Sequence, residues 1–177
     1  EHLERKRLDE EALRESEASY REIFEQAPVG IFQTDSLGRV HRINSEMASI
    51  LGASSPEEYT QSFRDLNREL YVYPARREEF LRLLRQQGEV SNFEYEARHL
   101  SGGTVWINMN ARKRQWLPDG SFLIDGFALD ITERKRAEQE LERSRYLLDK
   151  SQEIAHVGSW ELDMATGKLT WSDEAYR

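Results

Sequence analysis

From Val29 onward the apolar positions recur first with a period of two, then of three to four, then of two again. Val29–Thr34 reads as a short strand, and Asp35-Ser36-Leu37-Gly38 as a turn whose glycine supplies the positive φ. Arg39–Ile43, with Val40 and Ile43 as its apolar members, returns as the second arm of a hairpin. Asn44 is placed to N-cap a short helix running through Leu51 and ended by Gly52. Ser55-Pro56-Glu57-Glu58 combines a cap, a proline at the first helical position and a glutamate at the third, which predicts a second helix. Pro74 opens a longer one in which Phe80, Leu83, Leu84 and Gln87 share a face and Gly88 is the stop.

Three strands follow, Val90–His99, Thr104–Gln115 and Phe122–Asp130, joined by the turn sequences Ser101-Gly102-Gly103 and Pro118-Asp119-Gly120. The order β-β-α-α-α-β-β-β is an α+β pattern. The last three strands form a meander, and the first two complete an antiparallel sheet only by lying beside it. Helices on one face of that sheet then enclose the core.

The flanks have a different texture. Glu1–Arg21 and Glu133–Lys150 lack Pro and Gly and are crowded with Glu, Arg and Lys, so both predict exposed helices. Either Asp130 or Thr132 can cap the second, and Asp130 with Glu133 has capping-box spacing. Along it Ala137, Leu141, Ser144, Leu148, Ser151 and Ala155 alternate by four and three residues, a coiled-coil seam whose layers are small or polar. A solvated linker helix is the alternative. At the N-terminus Glu4-Arg5-Lys6-Arg7 repeats Glu133-Arg134-Lys135-Arg136 letter for letter, so residues 1–13 read as the exit helix of an upstream module or as a chance match between two charged helices.

A longer repeat is also present. Ala27, Val29, Gly30, Phe32 and Asp35 align at constant spacing with Ala155, Val157, Gly158, Trp160 and Asp163. One extra residue in the following turn brings Gly38-Arg39-Val40 onto Gly167-Lys168-Leu169 and Asn44-Ser45-Glu46 onto Asp173-Glu174-Ala175. A period this long is a whole-domain repeat. The expectation is one complete module followed by the first strands of a second.

Composition narrows the function classes. The net charge of −8, with basic residues interleaved among acids, argues against a nucleic-acid surface. The 177 residues contain no cysteine, which excludes thiol catalysis, disulfides and Cys-based metal sites. Mean hydropathy is −0.79 and no apolar run is long enough to cross a bilayer, so the segment is expected to be soluble and cytoplasmic, without membrane contact of its own. Membrane segments elsewhere in a longer parent stay open.

The sequence resembles a PAS domain followed by its C-terminal (PAC) motif and signalling helix. The resemblance is carried by Ala27-Pro28-Val29-Gly30-Ile31-Phe32-Gln33-Thr34-Asp35, by the Gly38-Arg39-Val40 to Asn44 strand-to-helix step, and by Asp130-Ile131-Thr132-Glu133-Arg134-Lys135. It implies a PAS fold, a five-stranded antiparallel sheet with helices on one face, flanked by long N- and C-terminal helices. It further implies a signalling helix over 1–25, a PAS domain over 26–131, a connecting helix over 132–153 and the start of a second PAS domain over 154–177, as part of a bacterial-type multidomain sensor. By the same resemblance Asp130 and Thr132 couple the last strand to the output helix, and the flanking helices pair in a homodimer through Leu13, Tyr20, Leu141 and Leu148.

Members of the family often hold a small molecule between sheet and helices. Gln33, Phe80, Leu84, Tyr95, Asn108 and Asn110 are the candidates here. Asn108 and Asn110 share one strand face with Trp106 and are pocket residues only if that face is interior; otherwise their amides bond backbone or water. Which ligand or cofactor would occupy the pocket is not legible. Cys-linked flavin or other chromophores lack their cysteine, and Pro74–Gln87 lacks the histidine that haem would need, which leaves His41 and His99 as surface or satisfied histidines. His2 and His156 lack the helical, acid-flanked setting of a phosphoacceptor, and no metal site, nucleotide loop or cyclase loop is present. Glu94 and Glu96 share one strand face, but the sequence sets no histidine, metal pattern or nucleophile beside them, and an exposed strand face is the reading. The segment is therefore read as a non-enzymatic sensory or relay module. Its output would be a histidine-kinase transmitter in the same chain, with a diguanylate cyclase or phosphodiesterase as the alternative. A ligand-free dimerisation spacer and a sensor with noncovalent flavin are the rivals.

Overall fold

The computed structural model describes residues 2–155 and 160–172. Their elements are α1 (His2–Gln26), β1 (Gly30–Asp35), β2 (Val40–Ile43), α2 (Ser45–Ile50), α3 (Pro56–Ser62), α4 (Leu66–Glu69), α5 (Pro74–Gln87), β3 (Glu89–Arg98), β4 (Thr104–Trp116), β5 (Phe122–Asp130), α6 (Thr132–Ala155), β6 (Trp160–Leu162) and β7 (Leu169–Trp171). They form two units, residues 1–132 and 133–177. No helix among the described residues is long and apolar enough to cross a membrane.

In the first unit β1 to β5 make one antiparallel sheet in the order β2-β1-β5-β4-β3. The β3–β4–β5 meander contributes three neighbours, and β1 joins it by pairing with β5 from Gly30 opposite Ala128 to Asp35 opposite Leu123. Because directly paired residues share a face, the register sorts every strand. Phe32, Ile43, Phe93, Tyr95, Val105, Ile107, Met109, Ile124 and Ala128 point to one side, where they meet Met47, Leu51, Tyr59, Leu66, Phe80 and Leu84 of the helical layer and are all buried. Close approach across the sheet requires a glycine at 126: a Cβ there would meet the Phe32 ring and stand 2.6 Å from the Asn110 carbonyl oxygen.

Capping explains where the helices begin and end. Ser55 Oγ accepts from the Glu58 amide, whereas the Glu58 carboxylate reaches back to the amide and hydroxyl of Ser54, one residue earlier than a capping box would place it. Gly88 closes α5 with φ +81°. The buried stripe of α5 is Arg77, Phe80, Leu81 and Leu84, spaced i, i+3, i+4, i+7; Gln87 is exposed and does not share it, and Leu83 is only half-buried. The observed stripe starts one helical turn earlier than the apolar pattern because it includes Arg77, a cation that an apolar count passes over.

The second unit repeats the first hairpin locally. Asp163 N–H donates to the Lys168 carbonyl and Gly167 N–H to the Asp163 carbonyl, as Asp35 does to Arg39 and Gly38 to Asp35. Gly38 and Gly167 both take positive φ, +88° and +68°. Asp163 Oδ1 accepts from Ala165 N–H as Asp35 Oδ1 does from Leu37 N–H. Leu162 pairs with Leu169 as Thr34 does with Val40. The two hairpins differ in the turn, which is one residue longer in the second, and in a bulge at His41 that only the first contains. Val157, Gly158, His156 and residues 173–175 lie outside the described residues.

Candidate functional site

Two polar hubs and one strand–helix junction position the functional surfaces of the first unit. The first hub is Asn44, which is fully buried. Its Oδ1 accepts from Met47 N–H (3.0 Å), the expected cap, and also from Ile31 N–H (2.8 Å). Its Nδ2 donates to the carbonyls of Phe24 (2.9 Å) and Val29 (3.0 Å). One amide therefore ties the end of α1 and the start of β1 to α2. Arg42 reinforces this entry by stacking over the rings of Phe24 and Tyr20, 4.2 and 5.1 Å from their centroids.

The second hub is Asp35, whose side chain has no solvent exposure. Oδ1 accepts from Leu37 and Arg39 N–H, and Oδ2 lies 2.6 Å from Arg39 Nε and 2.8 Å from His41 Nε2. Arg39 continues to Asp119 and Ser121, linking the β1–β2 turn to the β4–β5 turn. Burial pushes the Asp35 carboxyl up, but the bonds from His41 and Arg39 together outweigh it and hold the group below the usual range. Asp119 is lowered to about 2, first by the Ser121 hydroxyl and then by Arg39.

At the exit of the sheet, Ile131 N–H donates to the Trp106 carbonyl (2.9 Å) and Trp106 N–H donates to Thr132 Oγ1 (3.0 Å). Asp130 Oδ1 accepts from Thr132 N–H at 2.8 Å. Neither side chain therefore makes the capping box expected between 130 and 133, and the Glu133 carboxylate accepts from Arg136 instead. Asp130 closes a tight turn two residues long, and Thr132 spends its hydroxyl on β4. The junction is a direct link from a central strand to the first residue of α6.

The six candidate pocket residues fall on opposite sides of the sheet. Phe80, Leu84 and Tyr95 lie in the interior. There Tyr71 and Tyr95 stack at 4.3 Å, and the Arg77 guanidinium lies 5.6 Å from the Tyr71 ring centroid. Burial pushes the phenols of Tyr59, Tyr71 and Tyr95 up, so all three stay protonated near neutrality. Gln33, Asn108 and Asn110 sit on the outer face, half-exposed. Gln33 donates to Asp125, Asn110 accepts from Asn92 N–H, and Asn108 accepts a long 3.4 Å bond from Asn110. The alternation on β4 separates the two sets; the covered face is the one that carries Val105, Ile107 and Met109.

That outer face holds an open groove of about 450 Å³ lined by apolar Val29, Ile31 and Phe127 and by polar Asn110, Arg112 and Asp125. Leu13 and Tyr20 on α1, and Leu141 and Leu148 on α6, are all exposed. Among the described residues no group of three or more His, Asp or Glu is arranged to hold a metal.

The model of the PAS fold family matches residues 18–127, more than half of the chain. The chain belongs to the PAS family. This PAS chain is 32% identical over 134 residues to an uncharacterized protein, y4lL, of Sinorhizobium fredii; the match covers 73% of the chain but spans only 16% of the relative's length. Among solved structures it is similar to a PAS domain of an HTR-like protein from Haloarcula marismortui, with a TM-score of 0.53 at 19% identity over 71% of this chain and 99% of that one. It is also similar to a sensory box histidine kinase/response regulator from Burkholderia thailandensis, with a TM-score of 0.51 at 22% identity over 74% and 98%. At these identities both show the shared fold.

The sequence reading missed Arg77 as a core residue and underestimated Asn44 and Asp35, which were read as a cap and a turn residue. A signal existed for both: each is a polar residue where strand and turn meet, and polar groups there are held by backbone donors and acceptors.

Proposed function

We propose that the chain is a sensory or relay PAS module that passes a change in sheet packing to an output domain through α6, with a histidine-kinase transmitter as the output. The observation that carries this reading is the Trp106–Thr132 bond with its Ile131–Trp106 companion, because it makes the start of the helix a neighbour of β4 rather than the end of a free linker. Two bonds, each contributing about 1 kcal/mol net, can bias a helix start without locking it. The exposed seam residues Leu13, Tyr20, Leu141 and Leu148 favour a homodimer through the flanking helices. The histidine-kinase assignment rests on family habit and on the likeness to sensory box histidine kinases. A cyclase or phosphodiesterase output uses the same helix and is the alternative, and a ligand-free spacer is the rival. The matching turn bonds of the 163–168 and 35–39 segments favour reading 154–177 as the beginning of a second PAS domain, with residues 130–135 as the PAC-type exit between the two.

The test grafts the chain in helical register ahead of a histidine-kinase transmitter and compares autophosphorylation with Asp130→Ala and Thr132→Val. The reading expects each variant to shift the rate about fivefold in either direction while the domain stays folded. Rates unchanged in both folded variants would reduce the junction to a structural turn.

A further inference from the structure

Arg77 is, among the described residues, the one cation in the buried set, at 4% exposure. Its hydrogen-bond partners are all neutral and lie on separate parts of the fold. Nε donates to Asn67 Oδ1 of α4 at 2.7 Å, and one terminal nitrogen donates to the Asp35 carbonyl at the end of β1 at 3.2 Å. The guanidinium lies 5.6 and 5.4 Å from the ring centroids of Tyr71 and Phe80.

The segment 64–87 that carries these groups crosses the helical side of the sheet and is held differently at its two margins. On the β3 margin there is a main-chain ladder, Arg98 N–H to the Leu70 carbonyl (2.8 Å) and Val72 N–H to the Glu96 carbonyl (3.0 Å) with Tyr71 bridged to Ala97, and Arg76 and Arg98 add guanidinium bonds to the Glu94 and Arg68 carbonyls. On the β1–β2 margin there is one main-chain bond, Leu66 N–H to the Gly38 carbonyl (3.0 Å), and otherwise Arg77. A backbone ladder opens cooperatively. Bonds from one guanidinium to neutral acceptors can be exchanged for water one at a time. The C-terminal end of the segment is Gly88, at φ +81°, whose carbonyl accepts from Lys113 N–H of β4 at 2.7 Å and so fixes the pivot end of α5.

We propose that Arg77 is the latch of a strap: α4 and α5 swing away from the β1–β2 turn as one body, hinged on the β3 margin, while the sheet stays formed. Opening on that side uncovers the interior bordered by Tyr59, Tyr71, Tyr95 and Phe80, whose protonated phenols offer hydrogen bonds to a small polar molecule. The strap gives the sensory reading a route of entry, but it stands on the geometry of Arg77 and requires neither ligand nor output domain.

Hydrogen–deuterium exchange on the whole chain tests it, comparing the native protein with Arg77→Met, which keeps the stem of the side chain and removes the donors. Exchange across 64–69 and 74–81 should accelerate at least tenfold, with peptides of 104–130 staying within about twofold. Equal acceleration in both regions would mean that Arg77 only supports global stability, and no acceleration in 64–81 would remove the latch; either result overturns the proposal. Should Arg77→Met fail to fold, Asn67→Ala removes one partner alone. It should reproduce the same regional pattern at smaller amplitude, and a uniform or absent change would again overturn the strap.

Discussion

Replacing Asn44 by alanine removes four hydrogen bonds from a side chain with no solvent access. The bonds to Phe24 O and Met47 N–H are fully buried, and those to Ile31 N–H and Val29 O partly so. A lost partner costs about 1 kcal/mol where water can re-enter and up to roughly 2–3 kcal/mol where it cannot. Even at about 1 kcal/mol for each of the four bonds, Asn44→Ala loses about 4 kcal/mol or more, against about 1 kcal/mol if Asn44 served only as a helix cap. Aspartate separates the two accounts, since it caps helices as well as asparagine does. At 44 it would keep the acceptor but lose both donors and set a carboxylate oxygen against the Phe24 and Val29 carbonyls. Asn44→Asp should therefore lose about 2 kcal/mol or more. Urea unfolding followed by circular dichroism, with the slope checked for constancy, reads both variants. A loss of under about 1 kcal/mol in Asn44→Ala, or a neutral Asn44→Asp, would refute the four-bond account and return Asn44 to an ordinary cap.

Two further outcomes follow from the same reasoning. Asp35 and Asp119 both titrate below their ordinary value of 3.8 in the folded protein, so the stability they supply is present above that value and is lost as pH falls from about 3.8 towards about 2, where Asp119 itself titrates. Melting temperature between pH 2 and 6 should drop more steeply for the native chain than for Asp35→Asn, which starts lower; parallel curves would contradict the role of the carboxylate. Gly126→Ala should destabilise by about 1–3 kcal/mol because its Cβ would press on the Asn110 carbonyl, and chemical denaturation showing no loss would mean that β4 and β5 can move apart freely.

Much of the fold can be read from the chain because local chemistry and long-range pairing agree. The Asp35–Gly38 turn, the Ser101–Gly103 and Pro118–Gly120 links and the alternation on 105–111 are each visible within a few residues, and the β1–β2 hairpin and the β3–β4–β5 meander follow from short connections, whereas the pairing of β1 with β5 does not. What escapes local reading is the choice of face and the choice of partner. Alternation separates Val105, Ile107 and Met109 from Trp106, Asn108 and Asn110 but does not say which set the helices cover. A pocket drawn through Tyr95, Phe80, Asn108 and Asn110 therefore joins opposite sides of the sheet. Thr132 looked like a cap because its spacing fits one; its hydroxyl is instead taken by an amide 26 residues away. Arg77 escapes notice because nothing within a helical turn of it announces Asn67 or the Asp35 carbonyl.

The amide of Trp106 reports the strand-to-helix coupling most directly. Thr132→Val keeps the shape of the side chain and deletes the acceptor at 3.0 Å, while the Ile131 bond to Trp106 remains. Residue-resolved hydrogen exchange should show the Trp106 amide and the first turn of α6 exchanging about fivefold faster, the equivalent of about 1 kcal/mol, with the amides of β5 unchanged. Unchanged exchange at Trp106 and the helix start would contradict a coupling that runs through this bond. So would acceleration spread evenly over the whole sheet.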